Sequence, residues 1–267
     1  MNTIGQLLQN FFTHKDFLPP ADQISGTLFT PLHLMFAILC MVGVCSACFA
    51  VRKKGEKTLQ RIYSSLWVLA VVWEIGKILW ETYCGREIRF EWGGILPLYP
   101  CSIFLYAMPF AIWGKGLAQR SACGYICSLG LLGGLINFVY PANILSNYSC
   151  ISFAGFHTFC YHGMLVFCAF SMLLSGYHRY TGIRHGWELL LPAGPFLAVS
   201  LVANAVNFSP IGSDYMFFKL NSFIFAPLGQ ATADWVAVII VYCAYLLIHA
   251  LPYFPSFFAN RKQKVTQ

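Results

Sequence analysis

Charged side chains are scarce in this chain. Of its 267 residues, only 10% are Asp, Glu, Lys or Arg. A soluble globular domain carries about 25% charged residues, so a water-soluble fold would have too few charges to cover its surface. Hydrophobic residues make up 58% of the sequence, which excludes an intrinsically disordered chain as well. The composition therefore predicts an integral membrane protein that crosses the bilayer several times.

Several motifs that mark common enzyme and receptor classes are also missing. The sequence has no GxSxG nucleophile elbow and no Walker or Rossmann glycine pattern. No two histidines are four residues apart, which argues against the zinc-dependent seven-span hydrolases. The last apolar stretch, 233–251, contains no lysine, so a retinal Schiff base of the microbial-rhodopsin type is excluded. We expect no cofactor, no metal ion and no nucleic-acid partner.

Seven apolar stretches are long enough to cross a bilayer as helices. They are 30–51, 62–83, 95–113, 122–140, 151–176, 188–208 and 233–251. No internal repeat is present, so an inverted-repeat transporter is not indicated. The predicted fold is therefore an all-α bundle of seven transmembrane helices.

The distribution of positive charge predicts how this bundle faces. Of the 17 Lys and Arg residues, 12 lie in the connections 52–61, 114–121 and 177–187 and in the C-terminal tail. Cytoplasmic loops are enriched in Lys and Arg, so these residues belong on the cytoplasmic side. The prediction is an N-terminus outside and a C-terminus inside, and the basic excess reports orientation rather than a partner.

The sequence divides into three parts. Residues 1–27 contain a short apolar cluster with helical spacing. It predicts a helix that lies in the membrane interface and ends at Pro19-Pro20. Residues 28–255 are expected to form the membrane domain, and residues 256–267 a basic cytoplasmic tail.

The second predicted span carries three charges on one helical face. Glu74, Lys77 and Glu81 are separated by three and four residues, which places them on the same side of a helix. Charges inside a bilayer are costly and normally face the bundle interior or a watery cavity. Lys77 can pair with either carboxylate. Two interpretations stay open: a proton path or polar wall of an active site, or a structural ion-paired stripe.

One cysteine and two histidines are the other candidates for chemistry. Cys101 follows Pro97 and Pro100 and is predicted in the first turn of the third span, where free N–H groups and the helix dipole favour a thiolate. His157 and His162 are five residues apart in the fifth span and do not share a face. Either histidine is a candidate general base for a cysteine elsewhere. The alternative is that Cys101 is one more apolar cysteine and that the histidines are satisfied polar groups.

The predicted orientation permits a pair between Cys101 and His162. Both spans enter the bilayer from the outer side, and the two residues lie roughly 9 and 16 Å deep at the rise of an α-helix. Tilt of the helices can close this gap. The geometry permits a Cys–His pair in the outer half of the bilayer but does not demand one.

Four short motifs, read in order, resemble those of a known family. They are Phe29-Thr30-Pro31-Leu32-His33-Leu34, Leu96-Pro97-Leu98-Tyr99-Pro100-Cys101-Ser102, Phe159-Cys160-Tyr161-His162-Gly163 and Asp214-Tyr215-Met216-Phe217-Phe218. Their order and spacing resemble the YwaF family of bacterial integral membrane proteins, which are related to animal acyltransferases acting on ether phospholipids. Members of that family usually have His at the position of Tyr99 and Asn at the position of Asp214.

The resemblance implies a function in lipid metabolism. Cys101 would be the acyl-accepting nucleophile and His162 the base of a lipid acyltransferase or hydrolase in the outer half of the bilayer. Membrane lipids would be its partners, and the bacterial plasma membrane its location. The substrate cavity is expected to include Glu74, Lys77, Glu81, Tyr99 and His157. A small-solute or proton-coupled transporter and a non-catalytic membrane scaffold stay open as alternatives.

Overall fold

Helices form the regular structure in the part of the chain that the structure describes. The computed structural model describes residues 4–18, 28–88, 97–180, 187–188, 190–206 and 215–217, with single positions between 236 and 247. The α-helices are α1 (Ile4–Gln9), α2 (Pro31–Val51), α3 (Glu56–Tyr83), α4 (Ile103–Trp113), α5 (Gly116–Tyr125), α6 (Leu131–Val139), α7 (Ala142–Leu145), α8 (Phe153–Leu174) and α9 (Leu190–Val206). A π-helical turn, Ile126–Gly130, joins α5 to α6.

Four helical stretches within the described residues are long and apolar enough to cross a membrane. They are Pro31–Val51, Glu56–Tyr83, the run Gly116–Leu145 that contains α5 to α7, and Phe153–Leu174. Two further apolar helices, Ile103–Trp113 and Leu191–Ala203, are shorter. An integral membrane protein is thereby confirmed, and its regular structure is helical wherever the structure describes it. Seven spans stay a prediction, since most of 233–251 lies outside the described residues, as does the tail 256–267.

The predicted start of the third span is wrong by eight residues. Residues 97–102 form turns, and α4 begins only at Ile103. Pro97 and Pro100 have no N–H to give to a helix, and the carbonyl of Tyr99 accepts hydrogen bonds from Ser102 N (2.9 Å) and Ile103 N (3.3 Å). Cys101 therefore lies in the turn before the helix and not in its first turn. At 11 residues, α4 is about 16 Å long, roughly half of the hydrocarbon thickness.

Helix α8 lies at the centre of the bundle. In its most apolar 18-residue window 78% of the residues are buried, compared with 6% for α2. Small residues in α6 and in the π-helical turn before it allow the close approach of α8. A Cβ at Gly134 would lie 2.6 Å from Val166 Cγ2, and one at Gly130 would lie 3.2 Å from Leu165 Cδ1. The GxxxG spacing of these glycines is a close-packing pattern of membrane helices. It fixes α6 against the helix that carries both candidate histidines.

The connections rich in Lys and Arg meet at one end of the bundle. Tyr177, after α8, donates a hydrogen bond to the carbonyl of Ala111 near the end of α4 (3.0 Å). Gln60, in the first turns of α3, donates to the carbonyl of Ile112 (3.3 Å). The structure thus gathers the described parts of connections 52–61, 114–121 and 177–187, as the charge distribution predicts. That this end faces the cytoplasm stays a prediction.

The N-terminal segment packs on the opposite end. Helix α1 ends at Gln9, well before the two prolines, and the chain then turns across the bundle. The carbonyl of Phe11 accepts a hydrogen bond from Phe153 N (2.7 Å), at the start of α8. The carbonyl of Phe12 accepts one from Trp80 Nε1 (3.1 Å), near the end of α3. The segment is therefore attached to the ends of two long helices.

The cysteines are free thiols, including Cys84 and Cys150 near the ends of their helices. Cys45 and Cys48 have the CxxC spacing of a redox motif but lie within the apolar helix α2. Cys45 is exposed, whereas the buried Cys48 Sγ donates to the carbonyl of Phe167 (3.6 Å) on α8. Cys48 therefore contributes to the packing of α2 on α8.

Candidate functional site

The charged stripe of α3 divides between two neighbouring clusters. Lys77 Nζ lies 3.1 Å from Glu74 Oε1, so the lysine takes one of the two partners that the sequence offered. Glu81, two turns further along, instead pairs with His14 Nε2 of the N-terminal segment at 3.1 Å. Glu74 is buried, with 7% of its surface exposed. The stripe therefore holds an ion pair inside the bundle and a hydrogen bond between histidine and carboxylate at its end.

His157 extends the inner ion pair across to α8. Its Nε2 lies 3.3 Å from Glu74 Oε2, close enough for an ion pair, although the N–H is not aligned for a hydrogen bond. The ring stacks on Trp73 (6.2 Å between centroids, 17° between planes) and on Tyr161 (5.8 Å, 11°). A carboxylate between an ammonium and an imidazole is the satisfied arrangement that a buried charge requires. The row Lys77–Glu74–His157 thus joins α3 to α8.

Tyr161 connects this row to Cys101. Its ring lies against that of His157, and its hydroxyl donates a hydrogen bond to the backbone carbonyl of Cys101 (3.3 Å). The turn that carries Cys101 is therefore held by α8.

His162 has a defined tautomer when it is neutral. Its Nδ1 lies 2.8 Å from the carbonyl of Thr158, and a carbonyl only accepts, so Nδ1 carries the proton. The other nitrogen, Nε2, is buried and has no hydrogen-bond partner among the described residues. Nε2 therefore presents a lone pair inside the bundle. A general base needs an oriented imidazole of this kind.

Two adjacent glycines of α6 approach Cys101 and the backbone of His162. A Cβ at Gly133 would be 4.0 Å from Cys101 Cβ, and a Cβ at Gly134 would be 3.4 Å from the carbonyl oxygen of His162. The absence of side chains at these positions brings the turn of Cys101 and the helix of His162 against the same stretch of α6. The structure thus gathers both residues in one region of the bundle.

Tyr99 belongs to a separate cluster. Its ring lies 5.4 Å from that of Tyr215, in a group that includes Leu98 and Ala203. Tyr215 comes from the last of the four motifs, so Tyr99 joins the second motif to the long connection after α9. The backbone carbonyl of Tyr99 accepts the hydrogen bonds that close the turn containing Cys101.

His14 is a buried residue that the sequence did not single out. Its Nε2 donates to Glu81 Oε2 (3.1 Å), and its Nδ1 accepts from the backbone N–H of Asp16 (3.3 Å). The Asp16 carboxylate in turn accepts from the backbone N–H of Arg86 (3.1 Å). Glu81 and His14 are 67 residues apart, so no local pattern could have paired them.

Comparison with known proteins gives a family. Residues 28–258 match the TMEM164 family. The chain belongs to the TMEM164 family. Its members are transmembrane proteins, in agreement with the apolar helices. No curated protein and no solved structure matches the chain.

The TMEM164 match includes most of the predicted site. It covers α3, the Cys101 turn and α8, whereas His14 lies before it. Within the matched range the structure brings together Glu74, Lys77 and His157, and it places Cys101 beside Tyr161. Glu81 and Tyr99 lie in neighbouring clusters. In the described part of the chain, no group of three or more His, Cys, Asp or Glu side chains could hold a metal ion.

Proposed function

We propose that this member of the TMEM164 family is a lipid acyltransferase or lipid hydrolase, with Cys101 as the nucleophile and His162 as the general base. The observation that carries the proposal is the geometry of His162. Its Nδ1–H is tied to the Thr158 carbonyl (2.8 Å), and its buried Nε2 has no other partner in the described chain. Membrane lipids supply the acyl ester. The resemblance to YwaF proteins leads to the same chemistry.

The reaction has two steps. His162 Nε2 takes the thiol proton of Cys101, the thiolate attacks the ester carbonyl, and the C–O bond breaks as the imidazolium returns the proton to the leaving alcohol. The product is an acyl thioester on Cys101 and a lysolipid. A second alcohol, or water, then gives its proton to His162 and attacks the thioester, and the thiolate leaves and is protonated again.

The ion-paired row gives the site its position and its polarity. Tyr161 holds the carbonyl of Cys101, and His157 fixes Tyr161 from its other face. Glu74 and Lys77 lie behind His157, and we propose that they form the polar side of the site. Glu81 and Tyr99, in the neighbouring clusters, are expected to border it. We place the reaction in the outer half of a bacterial plasma membrane, in a seven-span chain whose N-terminus is outside.

Acyl transfer in liposomes tests the proposal. The purified protein is reconstituted with a phospholipid that carries a radiolabelled acyl chain and with an unlabelled lysolipid acceptor. The wild-type protein is expected to release labelled fatty acid or to transfer it to the acceptor. Cys101→Ala and His162→Gln are expected to lower the rate by at least about 100-fold, the usual contribution of a base. Cys84→Ala is the matched control, because Cys84 is an exposed free thiol at the end of α3. Equal rates in all four proteins would refute the proposal.

A proton-coupled transporter is the second candidate. The row Lys77–Glu74–His157 favours it, because a carboxylate between two basic groups can exchange protons inside a membrane. Solute flux that responds to a pH gradient, is lost in Glu74→Gln and persists in Cys101→Ala would favour this function over acyl transfer.

A further inference from the structure

An apolar groove opens between α2 and α3, and α8 forms its floor. Its volume is about 570 Å³, within the range of about 300–1,000 Å³ that is typical of small-ligand sites. Gly43 and Ala47 on the flanking helix α2 and Gly163 in the floor have small side chains, which makes the groove concave. None of the described residues that line it carries a charge. The groove therefore fits a hydrocarbon and not a polar solute.

The helices that line the groove place it inside the bilayer. All three are among the helices that are long and apolar enough to cross a membrane. The lining extends from Ile62 to Trp73 on α3 and from Phe156 to Phe167 on α8, which is about 16 Å along each helix. A hydrocarbon core of about 30 Å contains two leaflets of roughly 15 Å each. The groove therefore has the length of one leaflet, whereas a second transmembrane helix would need twice that length.

One end of the groove meets the candidate site. Trp73 lines the groove, and its ring also stacks on that of His157. Glu74 follows Trp73 directly, and Lys77 lies one turn further along α3, with 23% of its side chain exposed. The groove is thus apolar along its length and polar just beyond Trp73. This polarity matches a lipid, whose tail is apolar and whose ester and head group are polar.

We infer that this groove holds one acyl chain of a membrane lipid, with the ester end of the chain beside Trp73. The inference deepens the proposed function by giving the acyl chain of its substrate a place, while binding of the chain does not require turnover. Cys160 and Gly163 of the floor adjoin Tyr161 and His162 in sequence. The acyl chain therefore lies against the same turns of α8 that carry the proposed base.

Photocrosslinking in liposomes tests the inference. The probe is a phosphatidylcholine with a diazirine in the middle of one acyl chain, and the labelled peptides are identified by mass spectrometry. The full-length wild-type protein is expected to be labelled mainly on the groove residues of α2, α3 and α8. In Gly43→Leu that labelling is expected to fall about tenfold, which corresponds to about 1.4 kcal/mol of lost binding. A Cβ at Gly43 meets no atom within 4 Å, so the larger side chain can fill the groove without moving the helices.

The control and a second variant make the test decisive. Gly194→Leu adds the same side chain to an open position of α9 and is expected to leave the labelling unchanged. Ala47→Leu fills the groove one turn from Gly43 and replaces that variant if it does not fold. Label spread evenly over the lipid-facing helices, with no effect of either filling variant, would overturn the inference, as would crosslinked dimers through α2.

The two proposals fail in different ways. Groove labelling that persists in Cys101→Ala, together with a wild-type protein that transfers no acyl group, would refute the proposed function and support the lipid site. Acyl transfer that continues at the wild-type rate in Gly43→Leu and Ala47→Leu, with labelling unchanged, would overturn the groove and leave the chemistry in place.

Discussion

Replacing Glu74 by Gln is expected to destabilise the bundle, because it leaves the Lys77 ammonium without its partner inside the membrane domain. Glu74 is 7% exposed, and its carboxylate lies 3.1 Å from Lys77 and 3.3 Å from His157. Removing one member of a buried ion pair costs about 3–5 kcal/mol. The Lys77 side chain is 23% exposed and is therefore partly solvated. We therefore expect the free energy of unfolding to fall by about 2–3 kcal/mol, which lowers Tm by roughly 5–10 °C.

The assay is thermal unfolding of the detergent-solubilised protein, followed by the exposure of its buried thiols to a fluorogenic maleimide. Glu56→Gln is the matched control, since Glu56 is exposed in the first turn of the same helix, and its Tm is expected to change by about 1–2 °C at most. The double variant Glu74→Gln/Lys77→Met removes both charges and is expected to recover much of the loss. The reasoning is refuted if the Tm of Glu74→Gln equals that of the control, or if the double variant has a lower Tm than Glu74→Gln alone.

Three further perturbations test other parts of the fold. Gly134→Ala is expected to cost about 1–3 kcal/mol of unfolding free energy by overpacking against α8, whereas Gly76→Ala, where a Cβ meets nothing within 4 Å, should be neutral or stabilising; equal Tm values would contradict the close packing. His14→Ala removes the hydrogen bond to Glu81, so tryptic cleavage after Lys15 is expected to accelerate about tenfold, and an unchanged rate would show that the segment is held by other contacts. Burial lowers the pKa of His178 to about 4, below its unfolded value, so its contribution to stability is complete above about pH 6.5 and is lost as the pH falls towards 4. His178→Gln should therefore flatten the fall in Tm between pH 6.5 and 4.5. A curve of Tm against pH that runs parallel to that of the wild type would refute this role.

The membrane class and most of the helices could be predicted from the sequence because apolar length alone specifies a membrane helix. Predicted limits such as 30–51 and 151–176 differ from those of α2 and α8 by at most two residues. The start of the third span failed for a local reason. The first six residues of its apolar run include Pro97 and Pro100, and a hydropathy average does not register that these residues cannot donate to a helix.

The individual residues of the candidate site could be predicted from the sequence, but which of them pair with each other could not. Helical spacing placed Glu74 and Lys77 on one face, and the structure pairs them. The choice between Glu74 and Glu81 depended on His14, whose position is set by the fold and not by local sequence. The same limit applies to His157: its spacing from His162 excluded a metal pair, yet nothing in α8 alone shows that it stacks between Trp73 and Tyr161.

A search for an acyl thioester on Cys101 tests the central claim most directly. The reconstituted protein is incubated with a phospholipid ester, quenched in acid and digested. The mass of the peptide that contains Cys101 is then measured by mass spectrometry. The account predicts an added acyl mass on that peptide, removed by neutral hydroxylamine, absent in Cys101→Ala and retained in Cys84→Ala. A protein that turns lipid over without any hydroxylamine-sensitive acyl group on Cys101, or that carries the group on another cysteine, would contradict it.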